Sequence, residues 1–297
     1  MLGITFDGLF TFKQHAISLK EKMQKRNNVL KALTGSSWGK DKETILTTYK
    51  AINLSILNYG CPIWSPNLSD THWNELQTCQ NAALRTATGC VKMSKIDHLH
   101  SECKIMPVRD HAEMLSKQFL LSTQQAQHPN QRPLPGPPPE RLMRQTLRTR
   151  YGAEIAEYIP EGETVLQSTR YKSGLTDIHT RSVQQTLQHQ GNNQVLGAPA
   201  PKISKGERAL PRKTRTILAQ LRSGYSSYLK SYLYRINARD TESDSCPDCG
   251  QSAHTTVHLF NCPSKPTHLT PRSLWDQPHD VAVFLGLETS RENTAET

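Results

Sequence analysis

Apolar residues return every three or four positions along the N-terminal part of the chain, the spacing that gathers them on one face of an α-helix. Phe12, Ala16, Leu19, Met23, Leu30 and Leu33 predict a helix over 12–34, stopped by Gly35. Its other face carries Lys13, Lys20, Lys22, Lys25, Arg26 and Lys31. Ile45, Tyr49, Ile52 and Ile56 predict a second helix from an N-cap at Asp41 to about Leu57, broken by Gly60, Pro62 and Pro66. Trp73, Leu76, Gln80, Ala83 and Ala87 predict a third, from Ser69 or Asp70 to Gly89. Pro107 suits the first turn of a fourth, which runs to about Gln125 through Leu115 and Phe119.

Residues 1–123 therefore read as a helical domain. The pattern then stops. Residues 124–140 contain six prolines and four glutamines, a composition that forms an extended linker and no core. Residues 141–205 read as a weakly structured connector, with one helix at 141–160 suggested by Leu142, Leu147 and Ile155. Helical spacing resumes over 212–239 through Ile217, Leu221, Tyr225, Tyr228, Tyr232 and Ile236, interrupted at Gly224. The expected fold class is mainly α: a helical bundle, a linker, a basic helical segment at 206–240, a small Cys/His knuckle at 241–270, an acidic tail with a short helix at 271–297, and much irregular structure.

Composition changes this picture in two ways. Apolar residues make up 35% of the 297, low enough to leave part of the chain outside any packed core. No window holds the ~18 consecutive apolar residues of a membrane span, and the N-terminus has no secretory pattern. With seven cysteines, an odd number, the expectation is an intracellular protein, nuclear or cytoplasmic, neither secreted nor membrane-bound. The net charge of +10 is unevenly spread. Residues 205–239 hold nine Lys/Arg against one Glu, whereas residues 240–297 hold nine Asp/Glu against three Lys/Arg. Such a basic segment favours phosphate backbones. Arg212, Lys213, Arg215, Arg222, Lys230, Arg235 and Arg239 are the candidate nucleic-acid contacts. The tyrosines among them offer rings on which unpaired bases stack, although Tyr225, Tyr228 and Tyr232 fall at core spacing.

The sharpest chemical signal is Cys246-Pro-Asp-Cys249, then His258 and Cys262, a C-x2-C-x8-H-x3-C spacing. A C-x2-C turn presents two thiolates to one ion at ~2.3 Å, and the H-x3-C pair supplies two more donors from one helical turn. Four protein ligands leave no open position, so the expected cofactor is a structural Zn2+ with no catalytic part.

Several passages in order resemble the C-terminal part of the pol-like protein of non-LTR (LINE-type, jockey-like) retrotransposons. LGITFD at 2–7 and LFTFKQH at 9–15 are similar to the family's stretch between the reverse-transcriptase palm and thumb. ILNYGCPIWSP at 56–66 and LQTCQNAALRTATG at 76–89 are similar to its thumb helices. LAQLRSGYSSYLKSYLYRI at 218–236 with the Cys/His cluster resembles its terminal zinc knuckle, and SLWDQPHDVAVFLGL at 273–287 a short family ending. The resemblance implies a thumb-like bundle over 1–123 and RNA or DNA as partner.

The family's polymerase centre is a carboxylate pair in an Asp-Asp box with a third Asp upstream, holding two Mg2+. No Asp-Asp dipeptide occurs in this sequence. The expectation is a fragment that binds nucleic acid through its basic helix and knuckle and has no catalytic residue or polymerase activity of its own. Two alternatives stand beside it: part of an active reverse transcriptase whose core comes from upstream sequence or in trans, and a zinc-dependent adaptor for another protein.

Overall fold

The computed structural model describes residues 3–35, 37–132, 134, 146–161, 163, 165–238 and 241–287. Residues 133 and 135–140 of the Pro/Gln-rich linker, Arg239 and the end of the acidic tail lie outside them. The described chain is mainly helical, with only isolated β-bridges and no strand among these residues. In order the helices are α1 (Lys13–Leu33), α2 (Lys42–Tyr49), α3 (Ser55–Asn58), α4 (Cys61–Trp64), α5 (Asp70–Thr88), α6 (Ile96–Cys103), α7 (Val108–Ser122), α8 (Leu147–Ala156), α9 (Ser168–His189), α10 (Arg212–Arg222), α11 (Lys230–Arg235), α12 (Thr256–Leu259), α13 (Ser273–Asp276) and α14 (Pro278–Phe284). Among these residues no helix is long and apolar enough to cross a membrane.

The chain divides into two compact units that alternate along the sequence. The first gathers residues 1–28, 49–80 and 106–189, and the second 29–48, 81–105 and 190–297. The sequential division expected at residue 123 does not coincide with them, because amphipathic periodicity locates helices and says nothing of which distant helices share a core.

The first unit is built on apolar packing. Phe12, Ala16, Leu19 and Met23 on α1, Leu57, Cys61 and Trp64 around α3 and α4, and Trp73 and Leu76 on α5 form one buried cluster. A second joins Met114, Leu120 and Leu121 of α7 to Tyr151, Ile155 and Ile178 of α8 and α9. Phe119, expected on the inner face of α7, is 39% exposed and stands edge-on to His128. Between α2 and α3 the helix winds one π turn over Lys50–Leu54. That turn drops Asn53 into the interior, where its Nδ2 donates to Asn27 Oδ1 at 2.7 Å and Asn27 Nδ2 donates to the Cys79 carbonyl at 2.9 Å. The predicted second helix is therefore present but carries an extra residue per turn at this point.

Much of the expected connector is ordered helix. The 22 residues of α9 bury Gly174, Ile178, Ser182 and Thr186, every fourth residue and mostly small or polar. A Cβ at Gly174 would lie 2.8 Å from Leu121 Cδ2, so glycine is what lets α9 approach α7. The 271–297 segment is also more than a tail. Leu274, Trp275, Val281, Ala282 and Leu285 form the buried core of the second unit with Leu218, Leu221, Leu229, Leu259 and Phe260.

Candidate metal centre and basic segment

The Cys/His cluster is assembled by a tight turn and one short helix. The Cys246 amide donates to the Ser252 carbonyl at 2.8 Å, the Gly250 amide donates to the Cys246 carbonyl at 2.9 Å, and Ser245 and Ala253 form a β-bridge. This hairpin-like turn presents Cys246 and Cys249. The Thr255 hydroxyl caps α12 by accepting from the His258 amide, and α12 with the turn after it presents His258 and Cys262. All four donor atoms lie within 4.8 Å of one another. Cys246 Sγ is 3.8 Å from Cys262 Sγ, and Cys249 Sγ is 3.3 Å from His258 Nε2. A tetrahedron with metal–sulfur bonds of ~2.3 Å has edges of ~3.8 Å, so the donor set and its spacing fit a zinc-sized ion.

Thiol chemistry separates Cys249 from the buried cysteines, whereas burial raises Cys262. Cys249 is drawn down to about 7, first by the Gln251 amide hydrogen bond and then by His258 and the neighbouring cysteines. Cys61 and Cys90 are pushed up to about 12 by burial, which keeps them as inert thiols. His254 lies within the 246–262 span but outside the cluster. Its Nδ1 accepts from the Lys230 amide at 3.1 Å, and Ser231 Oγ donates to its carbonyl at 2.8 Å. The knuckle is thereby fastened to α11, and Thr256 Oγ1 fastens it to α10 through the Leu221 carbonyl at 3.1 Å.

The basic segment splits at Gly224, whose φ of +74° ends α10 in a left-handed turn. Apart from Lys213, the two halves use their cations in opposite ways, and three of the expected nucleic-acid contacts on α10 are engaged with protein groups. Arg222 is fully enclosed: Nε and Nη2 make a bidentate pair with Glu102 at 3.0 and 2.8 Å, and Nη1 donates to Glu207 at 2.6 Å and to the Leu274 carbonyl at 2.8 Å. Lys42 completes the group at 2.8 Å from Glu102. Burial works to raise the Glu102 carboxyl, yet Arg222 and Lys42 hold it well below the usual carboxylate range. Arg215, also buried, forks onto both oxygens of Glu43 at 2.7 Å. Arg212 donates to the Gly35, Ala87 and Thr86 carbonyls, each at 2.9 Å, and so caps the C-terminal end of α5. Arg222 is thus enclosed and Arg215 and Arg212 are turned onto protein groups, so none of the three stands in solvent as Lys213 does.

Lys213, Lys230 and Arg235 are exposed, and among the described residues no carboxylate lies within ion-pair distance of them. Arg239 lies outside the described residues. The lone acid of the basic stretch, Glu207, is a counter-ion in the buried group together with Glu102, an acid on α6 that charge counting by segment passed over. Tyr228 and Tyr232 pack on the second unit's core as their spacing suggested, while Tyr234 is 49% exposed.

Over 118 residues, 40% of the chain, the sequence is 28% identical to the probable RNA-directed DNA polymerase from transposon X-element of Drosophila melanogaster. The matched stretch is 13% of that protein's length. No family model matches the chain, and no solved structure matches it. What the chain shares with a transposon polymerase is thus a distant likeness over less than half its length, beside a Cys/His cluster able to hold a metal ion.

Proposed function

We propose that the chain is the C-terminal part of an RNA-directed DNA polymerase of a non-LTR, LINE-type retrotransposon, that it binds RNA or DNA, and that it has no polymerase activity without a core supplied by other sequence. The observation that carries the reading is the compact four-donor cluster beside exposed cations, in a chain similar to a transposon polymerase. Zn2+ held by Cys246, Cys249, His258 and Cys262 would fix the turn and α12 as one rigid block. The chain's own residues do the binding: Lys213 on α10, Lys230 and Arg235 on α11, and by sequence Arg239, offer positive charge to phosphates.

The test uses the zinc-loaded full chain and a fluorescent oligonucleotide titrated at several salt concentrations. Each phosphate contact adds ~0.7–0.9 to the slope of log affinity against log salt. Replacing Lys213, Lys230 and Arg235 together by Ala is expected to weaken binding to all sequences alike and to lower the slope by about two to three. An unchanged slope would leave these cations as solvated side chains and overturn the reading of this surface.

A further inference from the structure

The second unit holds a groove of about 650 Å3 between α11 and the knuckle, within the size range of small-ligand sites (~300–1,000 Å3). Tyr225, Tyr232, Tyr234 and Arg235 line it together with Asp244 and residues just before His258. Tyr225 stands edge-on to Tyr232 with ring centroids 6.4 Å apart. The Arg235 guanidinium lies 5.7 Å from the centre of the Tyr225 ring, which holds its plane in place. Tyr234 is the exposed ring, and Val257, which also lines the groove, is 43% exposed.

We propose that this groove takes an unpaired base of single-stranded RNA or DNA, with the Tyr234 ring and the guanidinium plane of Arg235 as its stacking surfaces. The inference rests on the nucleic-acid reading above and sharpens it to single strands. A paired base keeps both faces inside the duplex stack and cannot offer one to Tyr234. Asp244 argues against a phosphate as occupant, since its carboxylate repels one, but it can accept from the exocyclic amino group of a base. Phosphates would then run along the rim by Lys230, which is exposed at the start of α11.

The experiment uses the zinc-loaded full chain with a 2-aminopurine-containing single-stranded oligonucleotide and its duplex. Stacking in the groove is expected to quench the 2-aminopurine of the single strand. Tyr234→Ala should abolish the quenching and weaken single-strand affinity by about 5- to 150-fold, the worth of one base–aromatic stack, with duplex affinity unchanged. Tyr234→Trp should retain both signals, and Arg235→Lys should lose quenching while keeping the salt slope. Tyr234 is half exposed, so an unchanged thermal transition for these variants would show that the fold is intact. Unchanged single-strand affinity and quenching in Tyr234→Ala would overturn the groove while leaving the basic surface standing. Equal loss on single strand and duplex would also overturn it. A full chain that binds neither form would overturn the nucleic-acid reading and the groove together.

Discussion

α10 and α11 are neighbours in sequence with similar composition, and they use their charge differently. α10 turns Arg215 and Arg222 inward onto Glu43, Glu102 and Glu207, and Arg212 onto backbone carbonyls. α11 buries none of its residues and leaves Lys230 and Arg235 in solvent. The difference lies in the acids each helix meets. Glu43 and Glu102 stand more than a hundred residues upstream of α10, where local charge counting cannot pair them. An arginine run is therefore evidence of a nucleic-acid surface only after its distant carboxylates have been found.

The largest expected effect falls on the block that α10 and α11 both hold. Structural zinc in small fingers contributes about 10–16 kcal/mol of apparent binding free energy at neutral pH. Cys249→Ser should abolish stoichiometric zinc by elemental analysis and strip hydrogen-exchange protection from 246–262. Because Leu259 and Phe260 belong to the second unit's core, protection should fall in α10 as well. Protection loss confined to the knuckle would mean that α10 stands by its charge network alone.

Next comes the network itself. Arg222→Met removes one partner from a fully buried group and leaves Glu102 and Glu207 short of a cation, which costs about 3–5 kcal/mol. Denaturant melts should show that loss as a lower midpoint. Adding Glu102→Gln should recover part of it, since the remaining Glu207 can still pair with Lys42, 3.5 Å away. An Arg222→Met chain as stable as the parent would place this arginine nearer to solvent than the structure does.

A smaller effect is pH-dependent. His98 on α6 lies beneath α10 with Nε2 3.0 Å from the Ala219 carbonyl, so that nitrogen carries the proton of a neutral ring. Burial, then the neighbouring cations Arg222 and Lys42 against the pull of Glu102, lowers its pKa from the usual 6.5. Below pH 6.5 the unfolded chain binds a proton that the folded one refuses, so stability is full above that pH and falls as pH drops. Melts from about pH 7.5 to about pH 5.5 should show this slope, and His98→Gln should reduce it while leaving the part due to His15, His111 and His254, which burial also lowers.

The smallest effect completes the contrast. Lys230→Met on α11 should change stability by no more than about 0.5 kcal/mol, as exposed substitutions do. A loss comparable with that of Arg222→Met would erase the distinction between the two helices.

Much of the apolar packing was legible because it obeys the helical period: the stripes of α1 and α5 are buried at nearly every expected position. The four donors of the Cys/His cluster were legible because thiols and imidazole at that spacing serve few other purposes. Helix α9 was not, since its inner face is Gly174, Ser182 and Thr186, residues that allow close approach without registering as apolar. The arginines of α10 were misread for a related reason: a buried guanidinium paired to acids has the same letter as one reaching into solvent.

The alternation of the two units has a consequence for the chain as it leaves the ribosome. Glu102 is made 120 residues before the Arg222 that neutralises it. At about 5–20 residues per second the carboxylate waits roughly 6–24 s for its partner. Trp275 and Val281, in the same core, emerge later still. The early segments of the second unit thus pass their first seconds as nascent chain without the residues that bury them, a window in which a chaperone would find them open.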